Sequence, residues 1–217
     1  MIRQLVSAIA TSAWRVSTLG MTTGDTLSRF GMYAAIDAEP RARIAQGPVL
    51  SVSHSTALCK RLGSPGLEIV EANYPEQKIN ELRFPANTFS AVVSDQVFEH
   101  IECTPSEAVA EVYRVLKPGG LAIHTTCFML PYHGSPNMDD VNNGDYWRFT
   151  PSGLARLHKG YGEVIMADGW GHPMLPLVGA LGLTWMKVPV ARWHPLNRLA
   201  RMNRKSYASL VWVIARK

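Results

Sequence analysis

Residues 89–126, FSAVVSDQVFEHIECTPSEAVAEVYRVLKPGGLAIHTT, predict a strand, a helix and a second strand in direct succession. The first seven residues, Phe89–Asp95, alternate in polarity and are rich in valine, which is typical of a buried strand. Thr104 and Glu107 match a capping box at the start of the helix, and the Pro-Gly-Gly beginning at Pro118 ends the helical pattern. Strands joined through a helix in this way are expected to pair in parallel, with a right-handed crossover.

The alternation of strands and helices continues on both sides of this segment. A further helix is predicted to begin at Thr150-Pro151. Four other segments have the composition of strands: VLSVS at 49–53, LEIVEANY at 67–74, GEVIMADGW at 162–170 and SLVWVIARK at 209–217. The chain is therefore expected to be an α/β protein with a three-layer, mostly parallel sheet, in which ligands bind at the carboxyl ends of the strands.

The length of 217 residues suits a single domain. We expect one domain over residues 1–217, with an N-terminal helical segment at about 1–45 and a hydrophobic, basic insertion at about 170–205. Three tryptophans of the insertion, with their apolar and basic neighbours, suggest a packing appendage or lid, or a contact with a membrane or a second copy: Trp170, Trp185 and Trp193. The sequence contains no uninterrupted run of about eighteen apolar residues, so no membrane span is predicted.

The net charge of +5 is unevenly distributed. Much of the excess lies in residues 192–217, which contain Arg192, Arg198, Arg201, Arg204, Lys205, Arg216 and Lys217. Two interpretations stay open: a solvated basic end, or affinity for an anionic surface or substrate such as a phospholipid leaflet or a sugar nucleotide. Nucleic acid is not expected as a partner, because no basic-aromatic motif accompanies the charge.

The three cysteines, Cys59, Cys103 and Cys127, have neither disulfide nor metal-binding spacing. They predict reduced thiols, and reduced thiols favour a cytoplasmic location.

The segment from about Phe84 to Cys127 resembles the central part of class I S-adenosylmethionine-dependent methyltransferases, of the methyltransferase type 11 kind. The resemblance depends on a strand that ends in Asp95, the Phe-Glu-His at 98–100 and the Arg-Val-Leu-Lys-Pro-Gly-Gly at 114–120. A second block, HGSPNMDDVNNGDYWRFTPSGLARL at 133–157, resembles a subgroup associated with polysaccharide or small-molecule modification. This resemblance covers about residues 49–170. It implies a Rossmann-like sheet of seven strands with an antiparallel last strand, and S-adenosyl-L-methionine as cofactor.

The sequence departs from the family pattern at the turn after VLSV. Ser53, His54 and Ser55 stand where the family has glycines. The segment from Val49 to Asp95 is also short for two strand–helix units and a further strand, which predicts one reduced crossover. Cofactor binding is still expected, because serine is small and polar and a helix N-terminus follows the turn.

By the resemblance, the candidate cofactor-binding residues lie at this turn, after the next strand, and at the strand end near Asp95. The acidic residue after the second strand has two candidates, Glu71 and Glu76. Lys78 and Asn80 stand where the family often has an adenine-binding aspartate. The full set is Ser51, Ser53, His54, Ser55, Glu71, Asn73, Glu76, Asn80, Asp95, Gln96 and Val97.

Methyl transfer to a hydroxyl needs a base that removes the hydroxyl proton. His133, in the loop PYHGSP that follows a strand, is the first candidate, because an imidazole of ordinary pKa suits this task. His100 and Asp145 are the alternatives, although the Glu-His pair that includes His100 can equally have a structural role.

A magnesium site is a weaker hypothesis. Asp139, Asp140 and Asp145 with His133 would supply oxygen-rich ligands, but their spacing is irregular, so no metal is predicted.

The tetrad Asp-Tyr-Trp-Arg at 145–148 suggests a substrate wall, since aromatic faces suit sugar rings and arginine suits phosphate. The alternative is an aromatic plug with an Asp–Arg pair that fixes the loop. The candidate substrate-binding residues are Tyr132, Tyr146, Trp147 and Arg148.

The expected function is O-methylation of a sugar or another small hydroxylated metabolite, with a sugar nucleotide or lipid-linked sugar among the candidate acceptors. Peripheral membrane contact and a homodimer are further expectations. The alternative is a relative that kept the fold, lost the cofactor and serves a binding role. The glycine-free turn favours this alternative, and the polar residues after the strands favour the enzyme.

Overall fold

The computed structural model describes residues 2–135, 144–181, 183 and 186–217. Within them the backbone forms seven α-helices and eight strands. The helices are α1 Ile2–Ser17, α2 Leu27–Asp37, α3 Thr56–Leu62, α4 Pro105–Val115, α5 Pro151–Leu157, α6 Met174–Ala180 and α7 Pro195–Arg201. The strands are β1 Thr23–Thr26, β2 Val49–Val52, β3 Ile69–Ala72, β4 Phe89–Asp95, β5 Leu116–Cys127, β6 Glu163–Trp170, β7 Lys187–Pro189 and β8 Leu210–Arg216.

Six strands form the main sheet in the order β3-β2-β4-β5-β8-β6, and β1 pairs with β7 in a separate antiparallel sheet. β2 is parallel to both β3 and β4, and β4 is parallel to β5. β8 runs the other way: Lys217, just after it, donates its N–H to the Gly120 oxygen at 3.0 Å, and Ser209, just before it, donates to the Trp170 oxygen at 2.9 Å. The predicted fold class, a mostly parallel sheet with an antiparallel last strand, is confirmed.

The implied number of seven strands is wrong for the main sheet, which has six in the described chain. All of residues 73–88, between β3 and β4, are described, and they contain turns but no helix or extended strand. The predicted reduced crossover is therefore confirmed, and β3 becomes an edge of the sheet. The segment is tied instead to α4, since the Arg114 guanidinium donates to the oxygens of Leu82 and Phe84, both at 2.9 Å.

Helix α4 ends earlier than its sequence pattern indicates. It stops at Val115, and Leu116 is already extended and pairs with Phe89 on β4. The last carbonyls of the helix find partners outside it: the Asn87 and Thr88 N–H groups donate to Arg114 and Val115 at 3.0 and 2.8 Å. These bonds end the helix three residues before Pro118, so the Pro-Gly-Gly lies within β5.

The start of α4 forms the predicted capping box. Thr104 accepts the Glu107 N–H, and Glu107 accepts the Thr104 N–H at 2.8 Å. Thr104→Ala is expected to lower the free energy of unfolding by about 1 kcal/mol, because it removes the hydroxyl that accepts the Glu107 N–H and donates to the Glu107 carboxylate. Denaturant titration measures this change. Ser106→Ala, two residues on in the same helix, is the control and should change stability by less than half as much.

The chain divides into two compact units. Unit 1 contains residues 1–36, 129–131 and 169–210, and unit 2 contains residues 37–128, 132–168 and 211–217. In unit 1, the predicted N-terminal segment forms α1, β1 and α2, and the segment at 170–205 contains α6, β7 and α7. Trp185 lies outside the described residues. No helix in the described chain is long and apolar enough to cross a bilayer.

Two histidines are fully buried in unit 2, His124 on β5 and His158 after α5, with ring centroids 5.3 Å apart. The Nδ1 atom of His124 lies 2.7 Å from the Ser94 hydroxyl, and that of His158 lies 2.9 Å from the Leu154 oxygen. Burial lowers the pKa of His124 well below its ordinary value, and it lowers the pKa of His158 to about 4. Both rings are therefore neutral at pH 7.

Stability should fall as the pH drops below about 6.5. The unfolded chain then protonates His124 and His158 while the folded chain does not, so the loss per histidine should rise toward a limit of about 1.4 kcal/mol per pH unit. Denaturant titrations from pH 7 to pH 5 measure the slope. His158→Phe removes one of the two groups and should roughly halve it. An unchanged slope in this variant would assign the pH dependence to other groups.

Candidate functional site

A cleft of about 540 Å³ lies in unit 2 where β2 and β4 reach their carboxyl ends. Two of its lining residues, Ser53 and Gln96, follow directly after these strands. Nine of the thirteen lining residues have polar or charged side chains, and the full lining is Ser53, Tyr74, Gln77, Lys78, Ile79, Asn80, Gln96, Val97, His100, Ile101, Glu102, Cys103 and Glu107. This is the location at which parallel α/β sheets bind ligands.

The turn after β2 has the backbone conformation of a glycine turn without a glycine. Ser53 has φ 48° and His54 has φ 63°, both in the left-handed region that non-glycine residues rarely adopt. Hydrogen bonds hold it there: Ser53 donates its N–H to the Ala72 oxygen, and His54 donates to the Asn73 side-chain oxygen, both at 2.9 Å. Ser53 lines the cleft, whereas His54 is exposed outside it.

Replacing His54 by glycine should stabilise the fold. Glycine adopts positive φ without strain, and the gain is partly offset by the greater freedom of glycine in the unfolded chain, so we expect about 0.5–1 kcal/mol. Asn87 has φ 57° in an exposed loop elsewhere and is the matched control. Asn87→Gly should gain less, because asparagine adopts this conformation readily and because the Asn87 side-chain oxygen accepts a bond from Lys217 Nζ at 2.8 Å that glycine cannot accept. Equal gains in thermal or denaturant unfolding would contradict strain at His54.

Ser55, the last serine of the turn, has a structural position. It is buried, its hydroxyl donates to the Val52 oxygen at 2.5 Å, and it accepts the Asp95 N–H at 2.8 Å. It therefore ties the end of β2 to the end of β4 and does not line the cleft.

A second left-handed residue, Gln96 with φ 59°, follows β4. Its N–H donates to the Thr125 oxygen at 3.0 Å, and the Thr125 hydroxyl donates to an Asp95 carboxylate oxygen at 2.5 Å. As a result Gln96 and Val97 line the cleft, and the Asp95 carboxylate bonds to β5 instead.

The remaining predicted cofactor residues divide between the cleft and its surroundings. Asn80 lines the cleft, but Ser51 is buried within β2 and Glu76 is exposed outside the lining. Glu71 accepts bonds from the Thr56 hydroxyl at 2.5 Å and the Asn73 amide at 2.9 Å, and these bonds lower its pKa. Glu71 and Asn73 thus form a network beside the turn, not a wall of the cleft.

Sequence reasoning missed an ion pair on the cleft wall. Lys78 donates to one carboxylate oxygen of Glu102 at 2.8 Å, and the Tyr74 hydroxyl donates to the other at 3.2 Å. The Lys78 bond is the main cause that lowers the pKa of Glu102. Glu102 lies two residues after the Phe-Glu-His of the family motif, which was the available signal. Cys103 also lines the cleft, half-buried, and burial raises the pKa of its thiol.

Of the two candidate histidine bases, the cleft includes His100. Its Nδ1 lies 2.6 Å from the Gly144 oxygen, and a carbonyl oxygen can only accept, so Nδ1 holds the hydrogen. In the neutral ring this leaves the lone pair on Nε2. The His133 ring meets the His100 ring edge to face at 5.1 Å between centroids, and it does not line the cleft.

The carboxylate of Asp145 is bonded to neighbouring residues. Its carboxylate is buried, forms two bonds with the Arg148 guanidinium, and accepts the His133 N–H at 2.9 Å. Burial raises the pKa of Asp145, but the bonds from Arg148 and His133 outweigh it and lower the pKa overall. This arrangement matches the Asp–Arg pair that fixes the loop, and it makes Asp145 a poor proton acceptor.

The predicted substrate residues lie outside the cleft lining. Trp147 donates its ring N–H to the Ile101 oxygen at 2.9 Å, and the Tyr132 hydroxyl donates to the Ser135 oxygen at 2.9 Å. Tyr132 and Tyr146 are exposed, and Arg148 is engaged with Asp145. Tyr146, Trp147 and Arg148 thus follow shortly after Gly144, which contacts His100, and Tyr132 directly precedes His133.

The proposed magnesium ligands Asp139 and Asp140 lie outside the described residues. Within the described chain, Glu99, Cys127 and His133 bring potential ligand atoms within 4.8 Å of one another. Burial raises the pKa of Cys127 to about 12, which keeps it a thiol at neutral pH.

Comparison with known proteins finds one matching domain model and several similar folds. Residues 29–124 match a model described as a methyltransferase domain. The fold is similar to that of Haemonchus contortus phosphoethanolamine N-methyltransferase 2 in complex with S-adenosyl-L-methionine, with a TM-score of 0.54 and 14% identity over 94% of this chain and 56% of that chain. It is also similar to a methyltransferase from Mesorhizobium loti, with a TM-score of 0.50 and 12% identity over 88% of this chain and 98% of that one. Among curated proteins, no sequence matches this chain.

Proposed function

We propose that this chain, a class I S-adenosylmethionine-dependent methyltransferase by its matched domain and its fold, methylates a hydroxyl group of a small acceptor such as a sugar. The observation on which the proposal depends is the cleft at the carboxyl ends of β2 and β4, with a serine on one turn and a histidine with a free Nε2 lone pair on its wall.

The residues of the cleft fit the cofactor. Its volume of about 540 Å³ is in the range of small-molecule sites. Ser53, Asn80 and Gln96 offer hydroxyl and amide groups to the polar ends of the molecule, and Ser53 replaces glycine with only one hydroxymethyl group. When bound, S-adenosylmethionine supplies an electrophilic methyl group on a sulfonium.

His100 is the base that this geometry favours, in place of the first candidate His133. The Gly144 carbonyl fixes the hydrogen of the ring on Nδ1. Nε2 can then take the proton of the substrate hydroxyl while the hydroxyl oxygen bonds to the methyl group of the cofactor. His133 and Asp145 are proposed to position the His100 ring, since the His133 ring packs against it and Asp145 holds the His133 backbone.

A sugar-like acceptor is supported by the chemistry of the cleft wall. Tyr74 offers an aromatic ring, and Gln77 and Glu102 offer hydrogen-bonding groups suited to a polyol. The lining also includes two carboxylates, Glu102 and Glu107, of which Glu102 is paired with Lys78. Sugar nucleotides and lipid-linked sugars belong to the same proposal, because they present the same hydroxyl groups.

Calorimetric titration with S-adenosylhomocysteine tests the cofactor site. We expect binding and a rise in melting temperature on addition of the ligand. No heat and no thermal stabilisation at millimolar ligand would refute the enzyme and favour a relative that kept only the fold. For the acceptor, transfer of a labelled methyl group to a panel of sugars and amines should label the sugars. Labelling of the amines alone would refute O-methylation.

A further inference from the structure

Helix α1 presents an apolar face to solvent in unit 1. Four large apolar side chains on it are exposed: Leu5 by 62%, Val6 by 37%, Ile9 by 61% and Val16 by 76%. At about 100° per residue, these four lie within roughly one third of the helix circumference. The helix is attached through a different side, where the Trp14 ring N–H donates to the Lys187 oxygen on β7 at 3.0 Å. The exposed face is thus fixed in place without being used in packing.

The charge of the chain is concentrated in the same unit. Unit 1 contains nine lysine and arginine residues and a single acidic residue, Asp25, whereas unit 2 contains thirteen basic and sixteen acidic residues. The net charge of +5 is therefore the difference between a strongly positive unit and a mildly negative one. The basic residues of unit 1 are Arg3, Arg15, Arg29, Lys187, Arg192, Arg198, Arg201, Arg204 and Lys205.

We propose that unit 1 docks on the surface of a bilayer that contains anionic lipids, with the apolar face of α1 inserted at the interface. An amphipathic helix lies in the headgroup region when it offers apolar side chains to the acyl boundary and positive charge to the headgroups, and unit 1 supplies both. Trp193 is exposed between Arg192 and the basic helix α7, and an exposed tryptophan beside basic residues is typical of an interfacial anchor.

Two other occupants of this face, a second copy of the chain and nucleic acid, fit it less well. A second copy would bring another strongly positive unit against the first, at a cost in electrostatic repulsion. Nucleic acid would satisfy the charge but would leave the α1 apolar face in water. Of these three occupants, only an anionic bilayer matches both the apolar face and the positive charge. This inference does not depend on the methyltransferase activity.

Cosedimentation of the full chain with vesicles tests the proposal. Vesicles of phosphatidylglycerol and phosphatidylcholine should bind the chain at least tenfold more tightly than pure phosphatidylcholine, and added salt should weaken the binding. Leu5→Gln combined with Ile9→Gln should lower binding about tenfold or more. Ala8→Gln, an exposed position outside the apolar face, is the control and should have little effect. Equal binding of these two variants would overturn the proposal, as would a failure of the parent to bind anionic vesicles.

A second pair of variants distinguishes the effect of charge in unit 1 on vesicle binding from the effect of the net charge of the chain. Arg192→Glu with Arg198→Glu, in unit 1, and Arg83→Glu with Lys159→Glu, in unit 2, change the net charge equally at exposed positions. Only the first pair should lower vesicle binding, by at least tenfold. Equal losses would refute docking through unit 1. If analytical ultracentrifugation shows a dimer, and the Leu5/Ile9 variant abolishes it, the apolar face belongs to a contact with a second copy. If the parent binds DNA tightly, and the Leu5/Ile9 variant still does, the positive charge serves nucleic acid. Either result overturns the proposal.

Discussion

Ser53→Leu is expected to reduce the affinity for S-adenosylhomocysteine at least a hundredfold while the protein stays folded. Ser53 lines the cleft and lies on a turn with a left-handed backbone conformation. A leucine side chain at this position would therefore fill space that the ligand needs. A hundredfold loss corresponds to about 2.7 kcal/mol of binding free energy. Calorimetric titration and the melting temperature of the variant measure the two effects separately.

His54→Leu is the matched control for this experiment. His54 also has positive φ, so leucine meets the same backbone strain there, but the side chain lies outside the cleft. The two variants should lose similar stability, and only Ser53→Leu should lose affinity. If Ser53→Leu binds as the parent does, the cofactor does not lie against this turn.

The second large effect is expected at His100. Replacing it with alanine should lower the turnover number by about 10²–10⁴-fold, the range for loss of a general base, and leave the affinity for S-adenosylhomocysteine nearly unchanged. His100→Asn should lose as much, because asparagine can still donate to the Gly144 oxygen but has no basic nitrogen in place of Nε2. Turnover with an acceptor found in the sugar panel is the measurement.

His133→Ala distinguishes the two histidines. If His133 only positions His100, turnover should fall by less than in His100→Ala, and added imidazole should restore part of the activity of His100→Ala but not of His133→Ala. A larger loss in His133→Ala would return the role of base to the histidine that the loop pattern first indicated.

The fold could be predicted because its signals are local. The capping box at Thr104, the valine-rich strand that ends at Asp95 and the apolar segment at 209–217 each lie within one element, and all three elements form as expected. The end of α4 was misplaced because it depends on distant partners. The N–H groups of Asn87 and Thr88, far back along the chain, take the last helix carbonyls before Pro118 is reached.

The site could be predicted only in part for the same reason. Ser53, Gln96 and Val97 follow strands directly, so their place at the cleft follows from the sheet. The pairing of Lys78 with Glu102 and the bond from His100 to Gly144 join residues 24 and 44 positions apart. Such contacts depend on how two loops meet, and no pattern within either loop indicates them.

The unequal surroundings of the three thiols give the protein a built-in reporter. Burial raises the pKa of Cys59 and Cys127 to about 12, and both are shielded from solvent, so reagents that need a thiolate should reach neither in the native state. Cys103 is the partly accessible thiol, and it lies on the cleft wall. Its rate of alkylation therefore measures occupancy of the cleft directly. Any molecule that fills the cleft would slow this modification, which allows ligands to be screened without an assay for methyl transfer and without a label on the ligand.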